Sequence, residues 1–417
     1  MSAPRRGRAL LISENAPLPG DRRVWNEART LVEADWEVVA ICAAAADRRQ
    51  PASETIEGVE IHRYPLRPAA GALGYLREYG QAVWRIRALL VRLQRQQPFD
   101  VVHAANPPDF LLLAARQARA RGARLIFDHH DLTPELFRTR FGRGGPAHRA
   151  LLAIERRAMR SADVVISTNE SYRRIAIERG GVDPANVFVV RNGPDLDRFR
   201  PVPPDAALRR GRRHLIAYVG VMGRQDGIDH ALLALAELRR LRGEDWHAIL
   251  VGDGEVRVEM EALSNELGLS GSVEFAGWRG DEDIRRILSS ADVCLEPDPP
   301  SPLNDVSTMI KVPEYMAMGR PVVAYDLPET RVSAGPAAAY AAGAEPASLG
   351  ACVDRLLDDP ARRERLGRLG RERVAGLAWQ HSARQLLAAY ERATRDDRVQ
   401  SERGALVGGS PAAEASR

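Results

Sequence analysis

Residues 301–330 read SPLNDVSTMIKVPEYMAMGRPVVAYDLPET, and their types and spacing suit the binding of a nucleoside diphosphate. A polar, proline-containing loop leads into a helical pattern, with Ser307 or Thr308 as the natural N-cap. Lys311 falls in the first turns. Glu314 stands three residues later, on the same face. A helix N-terminus offers free N–H groups and the positive end of a dipole, which suits phosphate oxygens. Lys311 adds a mobile ammonium, and Glu314 can accept hydrogen bonds from ribose hydroxyls. The bland alternative is a capped Lys–Glu surface pair. Lys311 is also the only lysine among 60 basic residues. At phosphate it acts as a compact point charge, unlike the planar fork of arginine.

Two further clusters could line a polar site. The segment DVVHAANPPD (100–109) places His103 and Asn106 at a strand end, and a lone histidine there can equally be a structural hydrogen-bonder. DHHDLTPE (128–135) packs His129, His130, Asp131 and Glu135 after another strand. Its spacing gives no clear tetrahedral set, so no metal is expected. Asp195–Asp197 and Asp281–Asp283 match D-x-D by letters. The first lies in a turn, and the second opens a helix, where acids are normal. Between Arg138 and Arg160, seven arginines, Arg143 among them, face one acid, Glu155. Leu151, Leu152, Ile154 and Met159 interleave with them. That pattern fits either a membrane-surface element or a helix packed on its own domain.

Alternating β-rich runs and helical patterns must position these residues. Strands are predicted at 8–13, 37–42, 56–64, 100–104, 124–128 and 163–167, with helices at 22–34 and 75–96. A Pro/Arg-rich stretch at 199–214 reads as a linker, and the pattern then restarts. Strands follow at 214–220, 247–252, 272–275, 293–296 and 321–325, separated by helices, with a last amphipathic helix from 379. The alternation implies βαβ units on parallel sheets, an α/β fold of two Rossmann-like domains. Ligands of such sheets sit at the carboxyl ends of the strands, so two facing domains share one cleft. The expected division is 1–200, 201–378, a helix at 379–395 returning to the first domain, and a disordered tail at 396–417.

Composition sets the outer bounds. The 417 residues are 45% apolar and 28% charged, which excludes a disordered or fibrous chain. Net charge is only +4, against a general nucleic-acid binder. Residues 1–200 carry 32 basic and 23 acidic side chains, and the remainder is net acidic. The basic half suggests an anionic partner such as a membrane surface, or merely arginine-rich codon usage. Cys42, Cys294 and Cys352 form no disulfide framework or metal spacing. No run approaches the ~18 apolar residues of a membrane helix, and no signal peptide is read. The expected location is the cytoplasm, with peripheral contact at the inner face of the membrane.

Five motifs in order, RNGPDLDRF (191–199), AYVGVMG (217–223), LVGDGE (250–255), VEFAGW (273–278) and KVPEYMAMGRPVVA (311–324), carry a resemblance. The chain resembles the retaining glycosyltransferases of the GT-B fold, glycosyltransferase family four, over roughly residues 8–393. It is most similar to the surface-polysaccharide branch that includes N-acetylfucosamine transferases. The resemblance implies that Glu314 holds the donor ribose. It implies that Gly220, Gly252, Asp253 and Gly254 line the nucleotide cleft, and that Gly277 and Trp278 contact the base. Pro19, Gly20 and Asp21 match the loop near acceptor and diphosphate. His130 and Asp131 line the acceptor or donor site, with Asn106 and Glu135 on the acceptor side, and His103 or Asn106 replaces a family histidine absent at Ala105. No metal or cofactor is implied.

The chain departs from the pattern at Val306, where the family has a glutamate, and at Val221 and Asp226, where it has phosphate-binding cations. Ser307, Thr308, Lys311, Glu314 and Arg224 are the expected substitutes. The implied reaction moves a sugar from a nucleotide-diphospho-sugar, UDP before GDP, to a lipid-linked or other glycan acceptor. The alternatives are a nucleotide-sugar 2-epimerase and a non-catalytic partner subunit.

Overall fold

The computed structural model describes residues 6–14, 16–45, 50–66, 71–142 and 144–395. The tail at 396–417 and Arg143 lie outside the described residues. The first sheet has eight strands: β1 (Gly7–Ser13), β2 (Trp36–Ala43), β3 (Ser53–Ile56), β4 (Val59–Tyr64), β5 (Val101–Ala105), β6 (Arg124–His129), β7 (Val164–Ser167) and β8 (Val187–Val189). Their order is β3-β4-β2-β1-β5-β6-β7-β8. The second has six: β9 (His214–Val219), β10 (Trp246–Val251), β11 (Val273–Gly277), β12 (Val293–Glu296), β13 (Val322–Ala324) and β14 (Ala338–Tyr340), in the order β11-β10-β9-β12-β13-β14. All pairings are parallel except β3 with β4. The architecture is therefore the expected α/β pair of Rossmann-like domains.

Both faces of each sheet are covered, which is why the central strands read as unbroken apolar runs. On one face of the first sheet, Leu10, Ile12, Val39 and Ile41 pack under Ala82, Ile86, Leu90 and Leu93 of the helix Gly71–Gln96. The 3.6-residue spacing of those four side chains predicts that contact. On the other face, Ala9, Leu11, Val38 and Ala40 meet Val24, Ala28 and Leu31 of the helix Arg22–Glu33.

Two features differ from the sequence expectation. The run 56–64 is a hairpin and not one strand: Glu57 and Gly58 both take positive φ, and Ile56 pairs with Val59. A two-residue turn of that kind matches the twist of its strands. The short strands β8 and β14 have three residues each and no periodicity to betray them. No described helix is long and apolar enough to cross a membrane.

The helix Trp379–Thr394 packs on the first sheet, beside the helix Arg22–Glu33. Leu386, Ala389 and Tyr390 share an apolar cluster with Trp36 and Val101, and the Trp36 and Tyr390 rings meet edge to face at 5.2 Å. Trp379 Nε1 donates to Thr30 Oγ1 at 2.9 Å. The chain thus crosses between the sheets twice, and the two crossings touch at Gly193. A Cβ there would fall 2.3 Å from the Leu377 carbonyl oxygen.

Candidate active site

The carboxyl ends of β9, β10 and β11 form the second domain's side of the cleft. Gly252 has φ +137°, and a Cβ on it would lie 1.8 Å from the Gly220 carbonyl oxygen. A Cβ on Gly254 would lie 2.4 Å from the Met222 carbonyl oxygen. These glycines are required by neighbouring backbone, before any ligand is considered. Gly277 (φ +67°) turns the chain after β11 and leaves Trp278 70% exposed. Asp253 Oδ1 accepts from Gly254 N at 2.8 Å and shapes that loop. Arg224 pairs with Glu259 at 3.4 Å on the exposed surface.

Lys311 is not a mobile charge. Its Nζ donates to Asp298 Oδ1 at 2.5 Å, lies 3.6 Å from Glu296 Oε1 and sits over the Tyr218 ring. Its side chain is 8% exposed. Burial opposes the charge, but Asp298, Tyr218 and Glu296 hold the ammonium well above its ordinary range. Glu296 is raised as well, by burial and by Asp298, which favours its neutral form. Asp226 accepts from Gly223 N at 2.8 Å and is raised to about 6, chiefly by burial. The chain therefore keeps one cation among three carboxyls beside Gly220, whose Cβ would stand 3.4 Å from Lys311 Cε.

Ser307 and Thr308 do not cap the helix Lys311–Ala317, whose N-cap is Ile310 without a side-chain bond. Tertiary partners claim both hydroxyls. Ser307 Oγ donates to the Leu303 carbonyl at 2.8 Å and meets Tyr172 Oη at 3.1 Å. Asn169 Nδ2 donates to Thr308 Oγ1 at 2.9 Å and to the Val306 carbonyl at 2.8 Å. Thr308 and Ser171 both donate to Glu329. Val306 packs with Leu303 against Leu132 and Tyr172. The segment expected to grip phosphate is a polar and apolar seam to the first domain, and an ionised glutamate at 306 would disrupt it.

Glu314 faces the cleft. Its Oε1 accepts from Arg22 Nη1 at 3.1 Å across the two domains. Burial raises its pKa to about 7, against the pull of Arg22. The adjoining cavity, about 440 Å³, is lined by Gly20, Arg22, Asn192, Arg198, Glu314 and Trp379. Asp21 caps the helix Arg22–Glu33 through Val24 N and accepts from Ser13 Oγ at 2.9 Å.

The first domain's wall is a buried charge network. Arg23 donates to both oxygens of Asp128 at 2.7 and 2.6 Å, to the Val190 carbonyl at 2.9 Å and to Asn192 Oδ1 at 2.6 Å. Asp128 also accepts from His130 Nδ1 at 3.1 Å. Burial disfavours the imidazolium, yet Asp128 lifts His130 to about 9, so it is a cation at neutral pH. Asn106 Oδ1 accepts from the backbone N–H groups of His130 and Asp131, and its Nδ2 donates to Asp109 Oδ1. Asn106 thus positions the loop that carries His130.

His103 lies behind this loop, close to Asp128. Its Nδ1 meets Tyr390 Oη at 3.1 Å, and burial lowers it to about 4, so it is neutral. Glu135 is drawn off by Arg179 at 2.5 Å. Glu27, His103 and Asp128 have ligand atoms close enough for a metal ion. Asp128 already serves Arg23 and His130, and the Arg23 guanidinium repels a second cation, so the donor set does not fit a metal.

Sequence reasoning missed Arg22, Arg23, Asn192, Asp298 and Asn169. The two arginines stand among 57 others in the chain, and the remaining partners lie far away in sequence.

The chain matches the glycosyl transferase 4-like domain over residues 20–193 and glycosyl transferases group 1 over 213–359. It is 30% identical, over 355 residues, to a 2-deoxystreptamine glucosyltransferase of Streptomyces kanamyceticus; the match covers 82% of this chain and 90% of the relative. The protein belongs to this glycosyltransferase family. Among solved structures, the glycosyltransferase shares its fold with a sucrose-phosphate synthase from Thermosynechococcus elongatus (TM-score 0.74, 22% identity, 93% of this chain and 99% of that one). It also matches an Anabaena protein in complex with UDP and glucose (TM-score 0.68, 17% identity, 93% and 100%).

Two stability predictions follow from the buried charges. Lys311→Met leaves Asp298 unpaired and should cost roughly 3–5 kcal/mol in urea unfolding. Adding Asp298→Asn should recover part of it, and a loss below about 1 kcal/mol would remove Lys311 from its neutralising role. Glu27 is fully buried, and burial and Asp128 raise it from 4.5 to about 8. The folded chain then binds more protons than the unfolded one above pH 4.5, so stability falls as pH rises towards 8. Glu27→Gln should flatten the melting temperature between pH 5 and 8, without abolishing its slope, because Glu314 has the same sign. An unchanged slope would show that Glu27 is ionised throughout.

Proposed function

We propose that this glycosyltransferase moves a sugar, with retention, from a UDP-sugar to a hydroxyl of a sugar- or cyclitol-like acceptor. The observation that carries the reading is Glu314. Its carboxyl faces the cavity between the domains, pairs with Arg22, and follows the glycine-bounded strand ends where the donor would lie. There it accepts the ribose hydroxyls. Retention rests on the resemblance of the five motifs. UDP is favoured because a solved protein of the same fold is complexed with UDP and glucose. The acceptor class draws on the 2-deoxystreptamine glucosyltransferase.

In this reading the second domain binds the nucleotide and the first binds the acceptor. The leaving diphosphate is stabilised by preset charges and not by a metal. The charges available are His130 fixed by Asp128, and Arg22 and Arg198 at the cavity. They replace the cations absent at Val221 and Asp226. The leaving phosphate itself takes part in deprotonating the acceptor, so no dedicated base is assigned.

A second reading of the acceptor, a lipid-linked glycan at an anionic membrane, is favoured by one feature. A hollow of about 720 Å³ on the first domain is lined by Arg149, Arg156, Arg157, Arg160 and Arg179.

Glu314→Gln should weaken UDP binding by several-fold in titration calorimetry while leaving 2′-deoxy-UDP nearly unaffected; equal losses would take the ribose from Glu314. For the membrane, wild-type protein should sediment with phosphatidylglycerol vesicles and not with phosphatidylcholine, and Arg149→Glu with Arg157→Glu should abolish the difference. Equal sedimentation with both lipids would count against the hollow.

A further inference from the structure

The carboxyl edge of the first sheet holds a second polar nest, away from the charge network of Arg23. Ser13 pairs with Cys42, and Ala43 pairs with Tyr64. Continuing the register by one residue sets Glu14 level with Ala43 and Tyr64. On the other side, Ile12 pairs with Ala104, so Glu14 is also level with Asn106. Tyr64, Ala43, Glu14 and Asn106 thus form one row along the rim that carries the His130 loop.

Glu14 and Tyr64 flank a small residue on a single face of the sheet. It is the face covered by the helix Gly71–Gln96, because Leu10, Ile12, Ile41, Ala43 and Tyr64 share the cluster with Ala82 and Ile86. Glu14 is 5% exposed and Tyr64 3%. Glu14 Oε1 and Tyr64 Oη are buried and have no hydrogen-bond partner among the described residues. Two such atoms at one strand edge are costly in a native fold unless something else satisfies them.

Burial raises the Glu14 carboxyl to about 7, with Glu78 of the covering helix adding to the effect. Burial likewise raises Tyr64, with Glu14 adding, while Arg85 opposes. These are the charged groups that face the pair.

We infer that Glu14 and Tyr64 form an acceptor subsite that takes a hydrogen-bond-donating ring, hydroxylated and amine-bearing, and excludes a phosphate. Ligands of open parallel sheets bind at the carboxyl ends of the strands. Asn106, in the same row, accepts from the His130 backbone N–H at 2.9 Å. A carboxyl with a free lone pair receives an ammonium or hydroxyl proton. An arriving ammonium draws Glu14 into its charged form and gains a charge-assisted bond. A phosphate oxygen would meet a carboxyl and a phenol within a region already crowded by Glu78. The inference rests on the glycosyltransferase reading only for what is bound there, an acceptor, and not for the donor.

The test is titration calorimetry of the full chain with three probes: 2-deoxystreptamine, myo-inositol and myo-inositol 1-phosphate. Each titration is run with and without UDP. The expected order of affinity is 2-deoxystreptamine above myo-inositol above its phosphate. Glu14→Gln, an isosteric change, should weaken the first by roughly tenfold or more. Tyr64→Phe should weaken it less, and both variants should keep the wild-type melting shift with UDP. The inference is overturned if the phosphate binds best, if Glu14→Gln leaves every affinity unchanged, or if none of the three binds. Failure of UDP to shift the melt counts instead against the donor reading, and the UDP-free titrations still decide the fate of Glu14.

Discussion

A guanidinium taken out of water must find a partner for each of its N–H groups, and Arg23 meets that demand by tying three parts of the chain together. Asp128 comes from the end of β6, Val190 and Asn192 from the first crossing between the domains, and Arg23 itself from the first helix. A buried pair of this kind adds little net stability compared with apolar packing, because desolvation offsets the attraction. Its effect is on position. Few other arrangements satisfy the same donors, so the helix, the strand end and the crossing have one mutual geometry. His130 inherits its orientation and its charge from the same carboxylate, and so the cleft's first wall is set by a contact that lies behind it.

The opposing wall follows the same logic with the signs reversed. There the scarce charge is positive, and Lys311 serves a nest of acids next to Gly220. In both walls the ionisable groups nearest the cleft are held by groups deeper in the protein. Such a site loses little free energy in reorganising when charge develops on a departing diphosphate. The loop before the Lys311 helix joins the two halves: Ser307, Thr308 and Val306 spend their side chains on the first domain. Motion of one domain against the other must break those contacts, so the position of the Lys311 helix is coupled to closure of the cleft.

Much of this was legible in the sequence. The central strands β1, β2, β5, β6, β9, β10 and β12 announce themselves as short apolar runs, since both their faces are buried, and the doubling of the α/β unit follows. The placement of His130 and Asn106 on strand-end loops, and of Glu314 on a helix face turned to the cleft, was legible from residue type and local pattern. What was illegible depended on partners distant in the chain. The hydroxyls of Ser307 and Thr308 read as helix caps locally, and only the approach of Asn169 and Tyr172 assigns them elsewhere. Arg22 and Arg23 carry no local signal in so arginine-rich a chain. Lys311 was legible as unusual, but not as neutralised, because the spacing to Asp298 says nothing until β12 and the helix are packed together.

The return of the helix Trp379–Thr394 to the first sheet has a consequence for synthesis. Domains made on the ribosome usually fold in the order in which they emerge. Here the second sheet has all its strands by Tyr340, whereas the face of the first sheet around Trp36 stays uncovered until Leu386 and Tyr390 have been made. The domain that begins first is finished last. During elongation its apolar face is open to chaperones, or to a neighbouring nascent chain, for nearly the whole time the polypeptide takes to be translated.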